Sequence, residues 1–554
     1  MSPAVREDDR AQPLQPDDTT HGAEGATDDV KVVALADLAA AKKASGGKKP
    51  KSDARTKLPT QSAMLVDMAM QRFIFGCTPA HVVYAMPVEG PNIAYMLRSS
   101  HTSVRMALAD AYYQQTGQPA SASALADALL VLQAKALGKD ARKVGYRVAR
   151  YDKGIVLDLG TADGRAVVVG PTGWTTRRSS PVLFRRTQLT AALPEPVRGG
   201  SVDELWPLLN VLPEDQPLVL AWLVASFIPD LPHPILLLRG QQGTAKTSTG
   251  SALISLVDPS AANLRSLPTS GDGYAVQANG SWIVGFDNIS TIPDWMADAM
   301  CRTVTGDGWC KRELYADDGL VVLSYRRVLV LTGIDIGSLR GDLAERLLPV
   351  ELEPIEPGKR MLDAEVAAQL ATARPRLLGA LLDLLSRVLA ILPTVHRDDW
   401  PRMADFARVV AAMDEVLGTE GYKQYTNQGG DIAAEVVSGD PVAEALVRTL
   451  ALRGGQAWMG TASELLEQIA PLDRPPKGWP ESGRALSGRL RRMAPSLEQV
   501  GVLVRFDRSG HARERRIIVA AATGHADANA QSADAKGPDA DAKRAEGPVQ
   551  EGLF

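Results

Sequence analysis

The stretch PHPILLLRGQQGTAKTS, residues 232–248, decides the fold. Ile235 to Leu238 is an uninterrupted apolar run of buried-strand length. It passes directly into Gly240-x-x-Gly243-x-Ala245-Lys246-Thr247 and then into helix-forming sequence. Strand, glycine-rich loop and helix in that order suit a phosphate group. Small residues let backbone N–H groups converge on it, a lysine reaches the β/γ oxygens, and a hydroxyl holds Mg²⁺. Gly240, Gln241, Gln242, Gly243, Thr244, Ala245, Lys246, Thr247 and Ser248 are therefore expected to cradle a nucleotide's phosphates. Ala245 stands where a glycine usually precedes the lysine, so the loop must tolerate a Cβ there.

Working outward, Ser281 to Asn288 (SWIVGFDN) is an apolar strand ending in an acid, 41 residues after the lysine. Asp287 is expected to organise Mg²⁺ together with Thr247. A second carboxylate usually follows to activate the attacking water, and here the residue is Asn288, which can orient water but not take its proton. Either hydrolysis is slow, or Asp294 or Asp298 serves, or the site switches conformation on binding. The strand RVLVLTG ends on Thr332, placed to sense a γ-phosphate between the first two strands. Arg340 and Arg346 in RGDLAER then read either as residues completing a neighbouring subunit's site or as surface arginines paired with Asp342 or Glu345. Between the strands, KRELY and LVVLSY flank Ala-Asp-Asp-Gly, a hairpin signal with Asp317 and Asp318 at its tip. The acidic tip repels phosphate, so Lys311, Arg312, Arg326 and Arg327 at its base are the better candidates for gripping DNA.

The rest of the chain frames this core. At 554 residues, 45% hydrophobic and 23% charged, it is long enough for several domains and too apolar to be wholly disordered. The net charge of −4 leaves nucleic-acid binding to local basic patches. Three cysteines without C-x-x-C spacing provide neither a disulfide framework nor a zinc site. The longest apolar run identified, Leu218 to Ile228, is too short for a membrane span, so a bacterial cytoplasmic protein with no membrane partner is expected. Residues 1–57 form a charged leader, net −6 over 1–30 and +6 over 31–57, readable as a solvated segment or a nucleic-acid arm. Residues 58–200 read as an α+β domain, 201–358 as the loop-bearing core, 359–438 as a helical domain, and 521–554 as a disordered tail.

Residues 439–520 read as three helices followed by two strands around Asp-Arg-Ser-Gly, the plan of a winged helix. Nine arginines (Arg484, Arg489, Arg491, Arg492, Arg505, Arg508, Arg513, Arg515 and Arg516) against three acids give a net +6 between 484 and 516. They are expected to bind DNA, the alternatives being a solvated face or a protein contact.

The loop lysine, strand-end Asp, hairpin before the sensor strand and following arginines resemble the superfamily-3 and related AAA+ helicase core. With FDNIS, RELYADD, LTGIDIG and RGDLAERLL, the chain from about 60 to 520 resembles helicase-like P-loop proteins of bacterial phages and integrative elements, akin to poxvirus-type primase-helicases. The resemblance implies an α/β P-loop (AAA+-like) fold, ATP and Mg²⁺ as cofactors, and Lys246, Asp287, Asn288, Thr332, Arg340 and Arg346 as catalytic positions. It further implies a ring, a hexamer, acting on DNA as a helicase or replication-initiation ATPase. A DNA-binding adaptor or AAA+ regulator with a slow or inactive ATPase is the alternative that Asn288 leaves open. The last residues, Gln550 to Phe554, resemble the Q-x-x-L-F peptide that docks on the bacterial sliding clamp, through Gln550, Leu553 and Phe554.

Overall fold

Five parallel strands form the sheet on which the glycine-rich loop is mounted. The computed structural model describes residues 59–97, 104–312, 320–333, 341–356, 358, 360–471, 473–476, 478–509 and 514–522, with 308–312, 320–324, 508–509 and 514 as backbone only. The charged leader, the hairpin tip, Arg340, Arg513 and the C-terminal peptide lie outside the described residues.

Toward the N-terminus, α1 (Gln61–Arg72) leads into β1 (Phe73–Cys77), β2 (Val83–Pro87) and β3 (Ile93–Met96), followed by α2 (Val104–Thr116) and α3 (Ala122–Leu137). The Ser121 hydroxyl caps α3 by accepting from the Ala124 amide. A four-stranded antiparallel meander follows: β4 (Val148–Tyr151), β5 (Gly154–Asp158), β6 (Ala166–Gly170) and β7 (Gly173–Arg177). The short β8 (Phe184–Arg185) returns to pair with β3.

The core runs α4 (Gln216–Ala225), β9 (Ile235–Arg239), α5 (Lys246–Val257), β10 (Leu264–Arg265), α6 (Gly271–Ala278), β11 (Ile283–Ile289), α7 (Asp294–Thr305), the hairpin β12 (Gly308–Arg312) and β13 (Leu320–Ser324), β14 (Val328–Gly333), α8 (Gly341–Ala344) and β15 (Leu347–Glu351). The sheet order β10-β11-β14-β9-β15 places β14 between the strand that feeds the loop and the strand that carries Asp287. Parallel strands covered on both faces read as unbroken apolar runs, and β9 and β14 do so. Leu218 to Ala225 in α4 is buried on every side, which marks an interior helix.

The helical layer is α9 (Asp363–Ile391), α10 (Ala404–Leu417) and α11 (Gly421–Gly439). Among the described residues, the helical stretch Asp363–Thr394 alone is long and apolar enough to cross a membrane. Its leucines from Leu377 to Leu389 are buried in the principal core, which extends from Val148 to Tyr425 and so joins the meander, the sheet and the helical layer. Trp174 Nε1 donates to Asp383 Oδ1 at 2.8 Å, and the Ser386 hydroxyl donates to Gly170 O, fastening the meander to α9. The described residues from Thr60 onward form one compact unit. Within α11, Gly429 and Gly430 are adjacent, and nothing lies within 4 Å of where their side chains would project.

The C-terminal module is α12 (Pro441–Leu452), β16 (Trp458–Thr461), α13 (Ala462–Gln468), α14 (Gly483–Gln499), β17 (Val502–Ser509) and β18 (Glu514–Ala521). Its three-stranded sheet has the order β16-β18-β17. The sequence pattern implies three helices and two strands here and misses β16, which pairs with β18 across Trp458↔Val519 to Thr461↔Arg516.

Candidate functional site: the loop, the strand-end acid and the arginine groove

The loop owes its path to residues that accept unusual backbone angles. Gly240 has φ +142, and a Cβ on it would lie 2.4 Å from Leu352 O, a separation only glycine avoids. Gly243 has φ +85. Ala245 adopts φ 60, ψ 29, the left-handed region, and carries its Cβ there at a steric cost. Helix α5 starts at the next residue with no side chain capping its N-terminus, which leaves the first amides open toward the loop. The Lys246 ammonium turns back on its own loop, donating to Gly240 O and Gln241 O at 2.6 Å each. Thr244 is buried, its hydroxyl donating to Gln241 O, while Gln241, Gln242, Thr247 and Ser248 are at least partly exposed.

Asp287 meets this loop through a bulge. The β11–β14 register shifts between Phe286 and Ile289, and Asn288 sits at φ 54, a left-handed conformation that asparagine tolerates better than most residues. The Thr247 hydroxyl donates to Asp287 at 3.0 and 3.2 Å, and the Thr332 hydroxyl donates to the same carboxylate. The Asn288 amide in turn donates to Thr332 Oγ1 at 2.9 Å. Residues far apart in sequence thus converge at the carboxyl ends of β9, β11 and β14, where ligands of open parallel sheets bind. The Asn288 side chain is exposed.

Arg346 is not part of this cluster. It immediately precedes β15, whose Leu347 pairs with Ile235 at the start of β9, so it lies at the amino ends of the strands, opposite the loop and roughly 17 Å from it at ~3.3 Å per residue. Its guanidinium donates to Asp342 O and lines an open cleft of about 350 Å³ with Asp298, Cys301 and Arg302. Asp298, one of the two acids considered in place of a second carboxylate, therefore lies with Arg346 rather than beside Asp287. Glu345 pairs with Arg402 at 2.8 Å, and burial raises its carboxyl pKa.

Arg327, read from the sequence as a DNA-gripping residue, requires correction. It is 3% exposed, lies 3.9 Å from the Tyr146 ring centroid and donates to Ala278 O, so it is a packed core cation that no phosphate can reach. Arg326 donates to Thr305 O.

In the C-terminal module, Arg484, Arg491, Arg515 and Arg516 line a groove of about 770 Å³ between α14 and the β17–β18 hairpin, with Ser463, Ser487 and Asp507. Arg491 stacks on Phe506 at 4.0 Å. Arg492 and Arg505 are also exposed, and Arg508 pairs by its backbone with Arg515. Arg489 is a second correction. It is clasped by Asp440 at 2.6 Å and donates to Gly478 O, while Asp440 also caps α12, so this arginine holds the module together instead of facing the groove.

Sequence reasoning missed three residues at the loop. The Asn210 amide donates to both Thr244 O and Glu353 O, tying the loop to the segment after β15. Arg239, directly before Gly240, pairs with Glu351 and Glu435. Arg360 lies against Gly243. Of these, only Arg239 carries a sequence signal, its adjacency to the loop.

No curated protein matches the chain. Among solved structures, the chain is similar to the apo NrS-1 C terminal region, with TM-score 0.36 and 12% identity over 84% of this chain and 99% of that one. The A form of the same region gives TM-score 0.37 and 12% identity over 83% and 99%. A JCV helicase crystal structure gives TM-score 0.23 and 13% identity over 42% and 64%. Two family models match in sequence: that of the actinomycete integrative conjugative element replication protein over residues 202–435, and that of the C-terminal domain of the same RepA proteins over 442–533. The loop-bearing sheet with its helical layer, and the arginine-lined module after it, thus both carry the sequence pattern of the replication protein of actinomycete integrative conjugative elements.

Proposed function

We propose that the chain is an ATP-dependent DNA helicase or replication-initiation ATPase of a mobile genetic element, with a P-loop core of AAA+ type and a C-terminal winged helix. The observation that carries this reading is the Thr247–Asp287–Thr332 cluster beside the uncapped N-terminus of α5. A hydroxyl and a carboxylate are a hard, oxygen-only donor pair that fits Mg²⁺, and open helix amides with a lysine fit phosphate. Thr247 and Asp287 would hold the metal, which supplies charge neutralisation at the β/γ oxygens. Lys246 would exchange its loop carbonyls for phosphate oxygens, and Thr332 would keep Asp287 aimed at the loop. Arg346 lies too far from its own loop to act there and would instead complete the site of a neighbouring subunit in a ring. The exposed groove arginines would meet DNA phosphates. The terminal Gln550, Leu553 and Phe554 would dock on a bacterial sliding clamp.

The test is Mg²⁺-dependent ATP hydrolysis with and without single-stranded DNA, coupled to strand separation, in wild type and Lys246→Ala. Turnover lost in the variant, with unchanged thermal unfolding, supports the reading; equal turnover in both rejects it. A second reading, a slow nucleotide switch in a DNA-binding adaptor, is favoured by one feature: the residue after Asp287 is Asn288, with no carboxylate to take a proton. Tight ATP binding with negligible DNA-stimulated turnover would select it.

A further inference from the structure

The segment between β15 and α9 is fastened to the loop at three points. Leu352 N donates to Arg239 O at 2.8 Å, Leu352 O closes on Gly240, and the Asn210 amide bridges Thr244 O and Glu353 O. Arg360, at the end of this segment, lies on the lip of the loop: a Cβ built on Gly243 would be 2.7 Å from its Nη2 and 3.5 Å from its Cζ. The guanidinium occupies the room that the missing side chain leaves. It is exposed. Lys246 is bonded to the carbonyls of Gly240 and Gln241, so two cations, Lys246 and Arg360, lie close to the Gln241–Gly243 turn.

We infer that Arg360 is a cation supplied by the same chain to the terminal phosphate, making it the residue that sets preference for a nucleoside triphosphate over a diphosphate. The inference rests on the nucleotide reading above. A guanidinium stays charged at all working pH values and presents a planar fork of donors that matches two phosphate oxygens at once. A diphosphate lacks the outermost phosphoryl group, so a cation at the lip gains little from it, whereas Lys246 grips both ligands. Arg360 also sits at the junction between the sheet and the long helix α9, so the contact would report the nucleotide's state to the helical layer.

The experiment is calorimetric titration of the full chain with Mg²⁺ and either ADP or β,γ-imido-ATP, in wild type, Arg360→Ala, Arg360→Lys and Lys246→Ala. Arg360→Ala should weaken the triphosphate analogue by about tenfold or more and ADP by no more than about twofold, and Arg360→Lys should fall between. Lys246→Ala should weaken both. An unchanged ratio of the two affinities in Arg360→Ala, whether both fall together or neither moves, overturns the proposal while leaving the nucleotide reading intact. Wild type that binds neither ligand overturns the nucleotide reading itself, and the inference with it.

Discussion

Replacing Ala245 by glycine should relieve strain stored in the loop. At φ 60, ψ 29 an L-residue crowds its Cβ against the following carbonyl, which costs roughly 1–2 kcal/mol. Glycine avoids that cost but loses more freedom on folding, an offset of about 0.4–1 kcal/mol. At the middle of both ranges the difference is a net stabilisation of about 0.8 kcal/mol, and at most about 1.6 kcal/mol. The strain has no local escape, because Ala245 O accepts from the Thr249 amide and so closes the first turn of α5. Hydrogen exchange of peptides covering 240–257, followed by mass spectrometry, reads the effect directly. If opening of that turn becomes harder by about 0.5–1 kcal/mol, exchange slows by about twofold to fivefold. Nucleotide affinity should hold if the bound loop keeps the same angles. Exchange that is unchanged or faster in the glycine variant would refute the strain argument.

The remaining expectations concern the fold and the arginine groove. Asp258 accepts from Arg147 Nε at 2.8 Å and from the amides of Trp282 and Ile283, all buried, so Asp258→Ala should cost about 3–5 kcal/mol by stranding a buried cation; an unshifted melting temperature would contradict this. Burial raises the Asp215 carboxyl to about 6, with the Glu351 amide and Gln424 side chain pulling it down and Glu214 and Glu351 charges pushing it up. Because its folded value exceeds the ordinary 3.8, its contribution to stability is complete below about pH 4 and is lost as pH rises through about 6. Urea midpoints of Asp215→Asn should therefore lose that part of the pH dependence, and parallel profiles for the two proteins would count against it. Replacing Arg484, Arg491, Arg515 and Arg516 should reduce the salt slope of DNA binding by about one unit for each phosphate left without its cation, and a slope that stays put would move the DNA site elsewhere. Arg489→Ala should instead lower the stability of the C-terminal module, leaving the slope in place.

The loop, Asp287 and Thr332 were legible because each sits at the end of an apolar strand, where a change from hydrophobic to small or polar residues marks the turn. Their convergence followed from parallel-sheet order, a rule that needs no knowledge of side-chain partners. By contrast β1 to β3, β7 and β16, as short as β9, lead into no glycine-rich loop or strand-end acid that would mark them. Arginine roles were the least legible. Arg327 and Arg489 carry the same charge as their exposed neighbours, and what separates them is a partner far away in sequence, Tyr146 in one case and Asp440 in the other. Asn210 likewise has no local signature, since its amide meets carbonyls at residues 244 and 353.

The paired glycines of α11 make that helix unevenly stiff. Each glycine disfavours the helical state by about 1 kcal/mol relative to alanine, and neither is required by a close neighbour. On one side of the pair, the Gln428 amide is anchored to Pro349 O in β15; on the other, Glu435 grips Arg239 at the root of the loop. The compliant point thus lies between two fixed ones, and α14 with its arginines packs on the same helix. Bending of α11 therefore comes easiest at residues 429–430, and a displacement of α14 relative to the loop should be taken up there.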